Sequence, residues 1–412
     1  MTGRPVLIDP SGRDIHGEGA RIRAGGPVSR IVLPGGVPAW SVTGQEAARQ
    51  VMADPRLSKD PRRHWRAYTE GRIGEDFPLI GWVLMENMTT SYGPDHSRLR
   101  RLTAKAFTPR RVEALRPKVH QAVQELLDDL AATPAGEVVD LKRRYAHPLP
   151  ARVICDLFGV PEESRAQILR GGEVNVDTTI SPEEAAANVA QWHRDLQDFV
   201  DSKRAEPGDD LTSDLLQAQE EDGSRLNESE LMGTLHLMLA TGTEPVMNLI
   251  ANTVRALLTH PDQLRLLRDG TVSWADVIEE TLRAEAPVAH LPFRFPLEDV
   301  TVAGVTIPRG EPVLINFAAI GRDPQVHGET ADRFDATRAD KSHLSFGYGM
   351  YRCIGNQLAL LEASIALPAL FDRFPDLTLG LPPEQIEPQV TFIMNGVAEL
   401  PVRLAAAVPA AA

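Results

Sequence analysis

Apolar residues recur at helical spacing along most of this chain and at strand spacing in shorter runs. Between residues 45 and 286 the period is mostly that of amphipathic helices. It predicts helices over 45–54, 95–131, 138–157, 183–204, 227–259 and 274–286. The one over 227–259 opens on NESELMG, in which Asn227 and Glu230 make a capping box. A further helix is expected over 353–371. In the Gly- and Pro-rich first forty residues, VSRIVL and AWSVT flank PGGVP and predict a hairpin. Apolar runs broken by turn residues over 291–317 predict short strands, and QVTFIMNGVAELPVRL (389–404) predicts a closing hairpin. The expected fold is mainly α with a small β-rich part. No repeat or linker divides it, so a single domain over 27–404 is expected, with an N-terminal segment 1–26 and a disordered tail 405–412.

Composition narrows the class. The 412 residues are 42% hydrophobic, enough for a large core, and the net charge of -14 argues against general nucleic-acid binding. No apolar run approaches the roughly 18 residues of a membrane span. The opening MTGRPVLIDP lacks the apolar core of a signal peptide. Two cysteines, Cys155 and Cys353, make no disulfide framework. The expected location is cytoplasmic, with neither membrane nor nucleic acid as partner. Against the acidic total stands one basic stretch, DHSRLRRLTAKAFTPRRVEALRPK. On a helical wheel His96 and Arg100 share a face, with Arg98, Arg101 and Lys105 opposite.

The two cysteines differ in setting. Cys155 lies in the apolar run RVICDLFGV and reads as a buried small hydrophobe. Cys353 lies in HLSFGYGMYRCIGNQLALLE, among Gly347, Gly349 and Gly355 and just before an apolar helix. Glycines let the backbone turn tightly and approach a flat ligand. A helix N-terminus directs free N–H groups and positive potential at the sulfur, which favours the thiolate. A thiolate held in this way suits an axial position on heme iron.

FGYGMYRCIG resembles the heme-binding loop of the cytochrome P450 family: Phe-Gly-x-Gly, three residues, then Cys-x-Gly. In that likeness Phe346, Gly347 and Gly355 line the cofactor, heme b, and Cys353 is the iron ligand. The family usually carries His or Arg two residues before the cysteine, where this chain has Tyr351. ADVIEETLR is similar to the family's Glu-x-x-Arg helix, with Glu280 and Arg283, and Arg338 in FDATR matches the third member of that structural triad. The likeness extends from about Gly26 to Arg403. It implies that His96, Arg100, Arg294 and His343 bind the heme propionates. It leaves the outward cations, Arg98 and Lys105 among them, to dock an acidic redox protein. No flavin or nicotinamide fingerprint is visible, so the resemblance implies electrons from a ferredoxin and a ferredoxin reductase.

About four turns into the 227–259 helix the chain reads T-G-T-E-P, where the family commonly has Ala-Gly-x-Glu-Thr. Glu244 then takes the place of the acid, and Pro245 that of the alcohol, which together deliver protons during dioxygen activation. Proline brings no hydroxyl and no N–H, so a kink is expected at Thr241, whose carbonyl loses its partner. Either Pro245 only shapes the helix and Thr241 or Thr243 holds the water, or the site is relieved of oxygen insertion and couples substrate radicals.

The N-terminal LIDPSGRDIHGEG and the hairpin LPGGVPAW look like an actinobacterial subgroup. That subgroup includes steroid hydroxylases and enzymes joining tryptophan-containing diketopiperazines. Because of Pro245 the expected activity is oxidative coupling of such diketopiperazines. The alternative is hydroxylation of a steroid or other hydrophobic natural product, and the non-enzymatic one a heme-based gas sensor. By the same likeness Trp65, Met85, Met88, Val288, Ala289, Phe392 and Ile393 line the substrate pocket, although core packing is the commoner reason for any single Met or Phe among them.

Overall fold

A computed structural model describes residues 4–404 except 75–76, 82–84, 105–106, 135, 176, 219–222 and 224. The tail expected to be disordered, 405–412, and Lys105 lie outside the described residues. The longer helices are α1 (Ile15–Arg23), α2 (Gln45–Ala53), α3 (Gly93–Ala104), α4 (Arg116–Ala131), α5 (Pro148–Phe158), α6 (Glu162–Asn175), α7 (Pro182–Ala205), α8 (Glu228–Thr259), α9 (Trp274–Ala284) and α10 (Asn356–Arg373). The strands are β1 (Val6–Leu7), β2 (Val28–Leu33), β3 (Val37–Val42), β4 (Leu57–Ser58), β5 (Val138–Asp140), β6 (His290–Pro296), β7 (Val300–Val302), β8 (Val305–Ile307), β9 (Val313–Asn316), β10 (Thr378–Leu379) and β11 (Pro401–Arg403). The expected mainly α fold with a small β part is what forms.

The α8 helix is the axis. Its capping box forms, Asn227 accepting from Glu230 N–H and the Glu230 carboxylate from Asn227 N–H. One of its sides packs with α4, α5, α9 and α10 into a cluster that includes Val123, Leu127, Leu249, Ile250, Leu282 and Leu367. The other side packs with α5 and α7 around Phe158, Trp192, Leu196 and Leu235. The six-stranded sheet, in the order β1-β2-β3-β9-β6-β4, stands beside this body. Its β2–β3 hairpin has the expected strands, Val28 opposite Val42 through Leu33 opposite Val37, turning at Pro34–Gly36.

Several expectations need correction. The 95–131 helix is three pieces, because Thr108 caps a new helix, Pro109–Ala114, and Pro117 opens α4. The first residues of 138–157 form β5 instead, since Val138 and Val139 pair with Arg403 and Val402 of β11. That pairing, with β10 on the other edge, also takes β11 out of the closing hairpin. What remains of the hairpin is the bridge between Pro388 and Val397. The C-terminal helix starts at Asn356, with Gly355 as its cap, rather than at Cys353. At Pro245, where a kink is expected, the backbone keeps a helical assignment on both sides of the proline.

Candidate active site

The Cys353 loop is held by its own backbone and by α9. Gly347 and Gly349 adopt φ of 73° and 71°, a region that penalises any side chain. Cys353 N–H donates to the Phe346 carbonyl at 2.8 Å, closing the turn. The sulfur lies deep in the fold yet is open, as an internal space beside it requires. Burial pushes the thiol upward. The N–H of Gly355, the charges of Arg100 and Arg352, and the N–H of Asn356 pull the other way. These are the groups that hold a thiolate once a metal takes the proton's place.

The middle of α8 carries the residues expected to deliver protons. Its flanks are buried, but Thr241 is exposed and Ala240, Gly242 and Pro245 are half-buried, so the packed helices leave this turn uncovered. Ile354, next to Cys353, packs against the cluster holding Leu235, Met238 and Leu239, and Phe346 packs against the one holding Val246 and Met247. At Gly242 a Cβ would come 2.7 Å from Ile154, so glycine lets α5 close on α8 there. The Thr241 hydroxyl donates to the Leu237 carbonyl at 2.7 Å but stays open, whereas Thr243 is buried with its hydroxyl 3.4 Å from the Leu239 carbonyl. Of the two alternatives for holding a water, only Thr241 is exposed. Glu244 is buried and accepts from Gln389 Nε2 at 3.2 Å. Both line a separate cavity of about 570 Å³, whose rim carries Asp140, Lys142, Arg143, His147, Asp177 and Glu399.

Bases crowd the far side of the loop. His96 is buried and neither of its ring nitrogens has a partner among the described residues. The same is true of Arg294 Nε. Burial holds His96 down at about 4, helped by the charges of Arg100, Lys59 and Arg294. Arg100 donates to the Arg352 carbonyl at 2.7 Å. Buried, unpartnered donors and excess positive charge beside an open thiol fit a flat dianionic cofactor with a metal at its centre. His343 does not join them. Its Nε2 meets Glu279 at 3.1 Å and its Nδ1 accepts from Ser345 N–H, so both nitrogens are occupied elsewhere.

The helix behind the loop is braced as the motif implies. Arg283 and Glu280 form a fully buried two-pronged pair at 2.7 Å, and Arg283 also donates to the carbonyls of Gly321, Ala331 and Arg333. Arg338 Nε stands 3.6 Å from Glu280, and its other nitrogens donate to the His327 and Thr330 carbonyls. Ser345 donates to the Leu282 carbonyl, tying the loop to α9.

This chain is 51% identical over 400 residues to the 2-hydroxy-5-methyl-1-naphthoate 7-hydroxylase of Streptomyces carzinostaticus, which covers 97% of each chain. The chain belongs to the cytochrome P450 family. The family's own pattern, described as Cytochrome P450, matches residues 275–396. Among solved structures, CYP154A1 from Streptomyces coelicolor A3(2) superposes with a TM-score of 0.92 at 46% identity, covering 97% of this chain and 100% of that one. A testosterone-bound CYP154C4 from Streptomyces sp. ATCC 11861 gives 0.94 at 42% identity, covering 98% and 99%. The fold is therefore the P450 fold, the cofactor class is heme b, and the protein is a monooxygenase-type oxidoreductase of secondary metabolism. No helix among the described residues is long and apolar enough to cross a membrane.

The substrate-pocket expectations divide. Trp65 is fully buried in an aromatic cluster with Phe77, Phe293 and Phe295, and Phe392 and Ile393 belong to the same core. Ala289 is wholly buried, and Met88 packs with Leu99 and Ile154. Packing accounts for these five. Met85 and Val288 stay half-buried, and Val288 is bridged to Met394. Sequence reading missed Lys59 and Gln389, whose neighbours here lie far away along the chain.

Proposed function

We propose that this P450 hydroxylates a flat, hydrophobic natural product, and that a polyketide-type aromatic acid of the naphthoate class is its nearest substrate. The observation carrying this is the 51% identity, over 97% of both chains, to a protein named a naphthoate hydroxylase. A solved relative holding testosterone extends the range to steroid-like shapes. The relatives' names favour oxygen insertion over diketopiperazine coupling and over a sensor.

In this reading Cys353 binds the iron, Phe346, Gly347 and Gly355 line the heme, and His96, Arg100 and Arg294 meet the propionates. Heme bound there supplies dioxygen activation and the oxidation of the substrate. The chain's own part is placement and protons. Ala240 and Pro245 of α8, with Met85 and Val288, each half-buried, offer apolar contacts to the substrate beside exposed Thr241. Thr241 accepts a hydrogen bond from a water, since its own proton is spent on Leu237. Glu244 takes protons from the side of the 570 Å³ cavity, and Gln389 holds its carboxylate at the boundary. Glu280, Arg283 and Arg338 brace the loop and do no chemistry. A ferredoxin and its reductase supply electrons, in the cytoplasm.

The test has two parts. The ferrous carbonyl form is expected to show the red-shifted Soret band of a thiolate complex, and Cys353→Ser to lose it; a band that survives the mutation defeats the ligand assignment. A hydroxylated naphthoate made under oxygen-18 should carry label from the gas. Pro245, which removes the usual alcohol, is the observation favouring the second reading, oxidative coupling. An unlabelled dimer from a tryptophan-containing diketopiperazine, with no turnover of naphthoates or steroids, would establish that reading and overturn the first.

A further inference from the structure

Tyr351 stands where the P450 pattern usually has a base, and its hydroxyl is committed to the Ser91 carbonyl at 2.8 Å. Its ring is surrounded by bases from elsewhere. The His96 ring centroid is 4.0 Å away, the Arg294 guanidinium 5.0 Å and Lys59 Nζ 5.7 Å. Lys59 reaches this place because β4 pairs antiparallel with β6, Leu57 opposite Pro296 and Ser58 opposite Phe295. One more step along that ladder sets Lys59 opposite Arg294.

Lys59 is 5% exposed and Arg294 2%. Among the described residues Lys59 donates to the Pro292 carbonyl at 3.3 Å, and neither residue forms an ion pair there. The neighbouring carboxylate, Asp60, is engaged with Arg62 and Arg63 at 3.5 and 3.4 Å. Burial, and then the Arg294 charge, push Lys59 down to about 7, and burial lowers Arg294 to about 10. Like charges buried together without an anion are strongly unfavourable. A fold tolerates the arrangement when an anion binds between them.

We infer that Lys59 binds a heme propionate and replaces the base that Tyr351 displaces. The inference rests on the heme site proposed above. Lys59 donates from the β4 side and Arg294 from β6, while His96 and Arg100 donate from α3. Tyr351 serves as the apolar floor on which these cations lie.

The experiment uses the heme-loaded protein, Lys59→Met, Lys59→Arg and the double variant Lys59→Met/Tyr351→His. Heme release is followed by transfer to excess apomyoglobin, and thermal unfolding is measured on each apoprotein. Lys59→Met is expected to release heme about tenfold faster, the loss of one charge-assisted hydrogen bond. Its apoprotein should be no less stable than the parent's, because an unpaired buried charge has gone. Lys59→Arg should release slowly, and Tyr351→His should restore slow release in the double variant. Release from Lys59→Met at the parent's rate overturns the inference. So does faster release accompanied by a destabilised apoprotein, which would make Lys59 a structural group. Fast release without rescue by histidine overturns the replacement of the Tyr351 position. If the heme site itself is misread, the parent shows no thiolate carbonyl band, a failure visible before any variant is made. Should Lys59→Met not accumulate, Lys59→Gln is measured in the same way.

Discussion

At Pro245 the chain has exchanged a hydroxyl and an N–H for a ring, and α8 stays helical. Thr241, one turn earlier, is open but has spent its proton on Leu237, and Thr243 is buried, so neither replaces the missing hydroxyl donor outright. Pro245→Thr should return an N–H to the Thr241 carbonyl and a donor beside Glu244. In a hydroxylase the product should stay the same while less of the reducing equivalents is lost as peroxide, measured as product formed per NADPH consumed. A shift from dimer to oxygenated monomer would instead mark the parent as a coupling enzyme. Glu244→Gln keeps the shape and the Gln389 contact but cannot carry a proton. Turnover should fall by about two to four orders of magnitude, the usual worth of a general acid. Substrate-induced spectral shifts should be unchanged, and an undiminished rate would remove Glu244 from the proton path.

The elements around the site are joined at a few side chains, and α9 is the clearest case. Glu280 and Arg283 are wholly buried and satisfied by each other and by four main-chain groups: the Gly321, Ala331 and Arg333 carbonyls, and Asp335 N–H, which donates to Glu280 at 2.7 Å. Removing one partner leaves an uncompensated buried charge. Glu280→Ala should cost about 3–5 kcal/mol, read by denaturant unfolding. The Cys353 loop hangs from the same helix through Ser345 and His343, so heme incorporation should fall with it. A variant as stable as the parent would refute the bracing role. This part was legible in the sequence, because Glu-x-x-Arg places both groups on one helical face and the glycines of the cysteine loop mark backbone that no other residue adopts easily. What escaped depended on distant partners. Val138 looked helical until β11 paired with it, α1 was hidden by the glycines of IHGEGARIR, and α6 carries too weak an apolar face to stand out. His343 and Arg98 were assigned by position in the chain, and each was claimed by a glutamate that local spacing does not reveal, Glu279 and Glu230.

Across the whole molecule the charge of -14 should repel an acidic electron donor, so docking requires a local exception. Arg98 is not that exception. It is bound to Glu230 and the Arg225 carbonyl, and only partly exposed. The face over the cysteine loop offers a better one. Tyr348 and Met350 are among the large apolar residues left exposed, at 39% and 47%, and Arg352 beside them is exposed too. The Arg49 guanidinium lies 5.3 Å from the centre of the Tyr348 ring, which puts a second cation on this face. Apolar contact rimmed by arginine is a surface on which an acidic ferredoxin can dock close to Cys353. In the parent, local attraction opposes global repulsion, and reduction by the ferredoxin should slow as salt is raised. Charge reversal at Arg49→Glu and Arg352→Glu leaves repulsion alone, so the rate at low salt should drop and then rise with added salt. That reversal of sign separates docking from damage, because a loosened heme pocket would slow reduction at every ionic strength. The ferrous carbonyl spectrum reports whether the heme site survives the substitutions. If the double variant is reduced as fast as the parent at low salt, the donor approaches by another face.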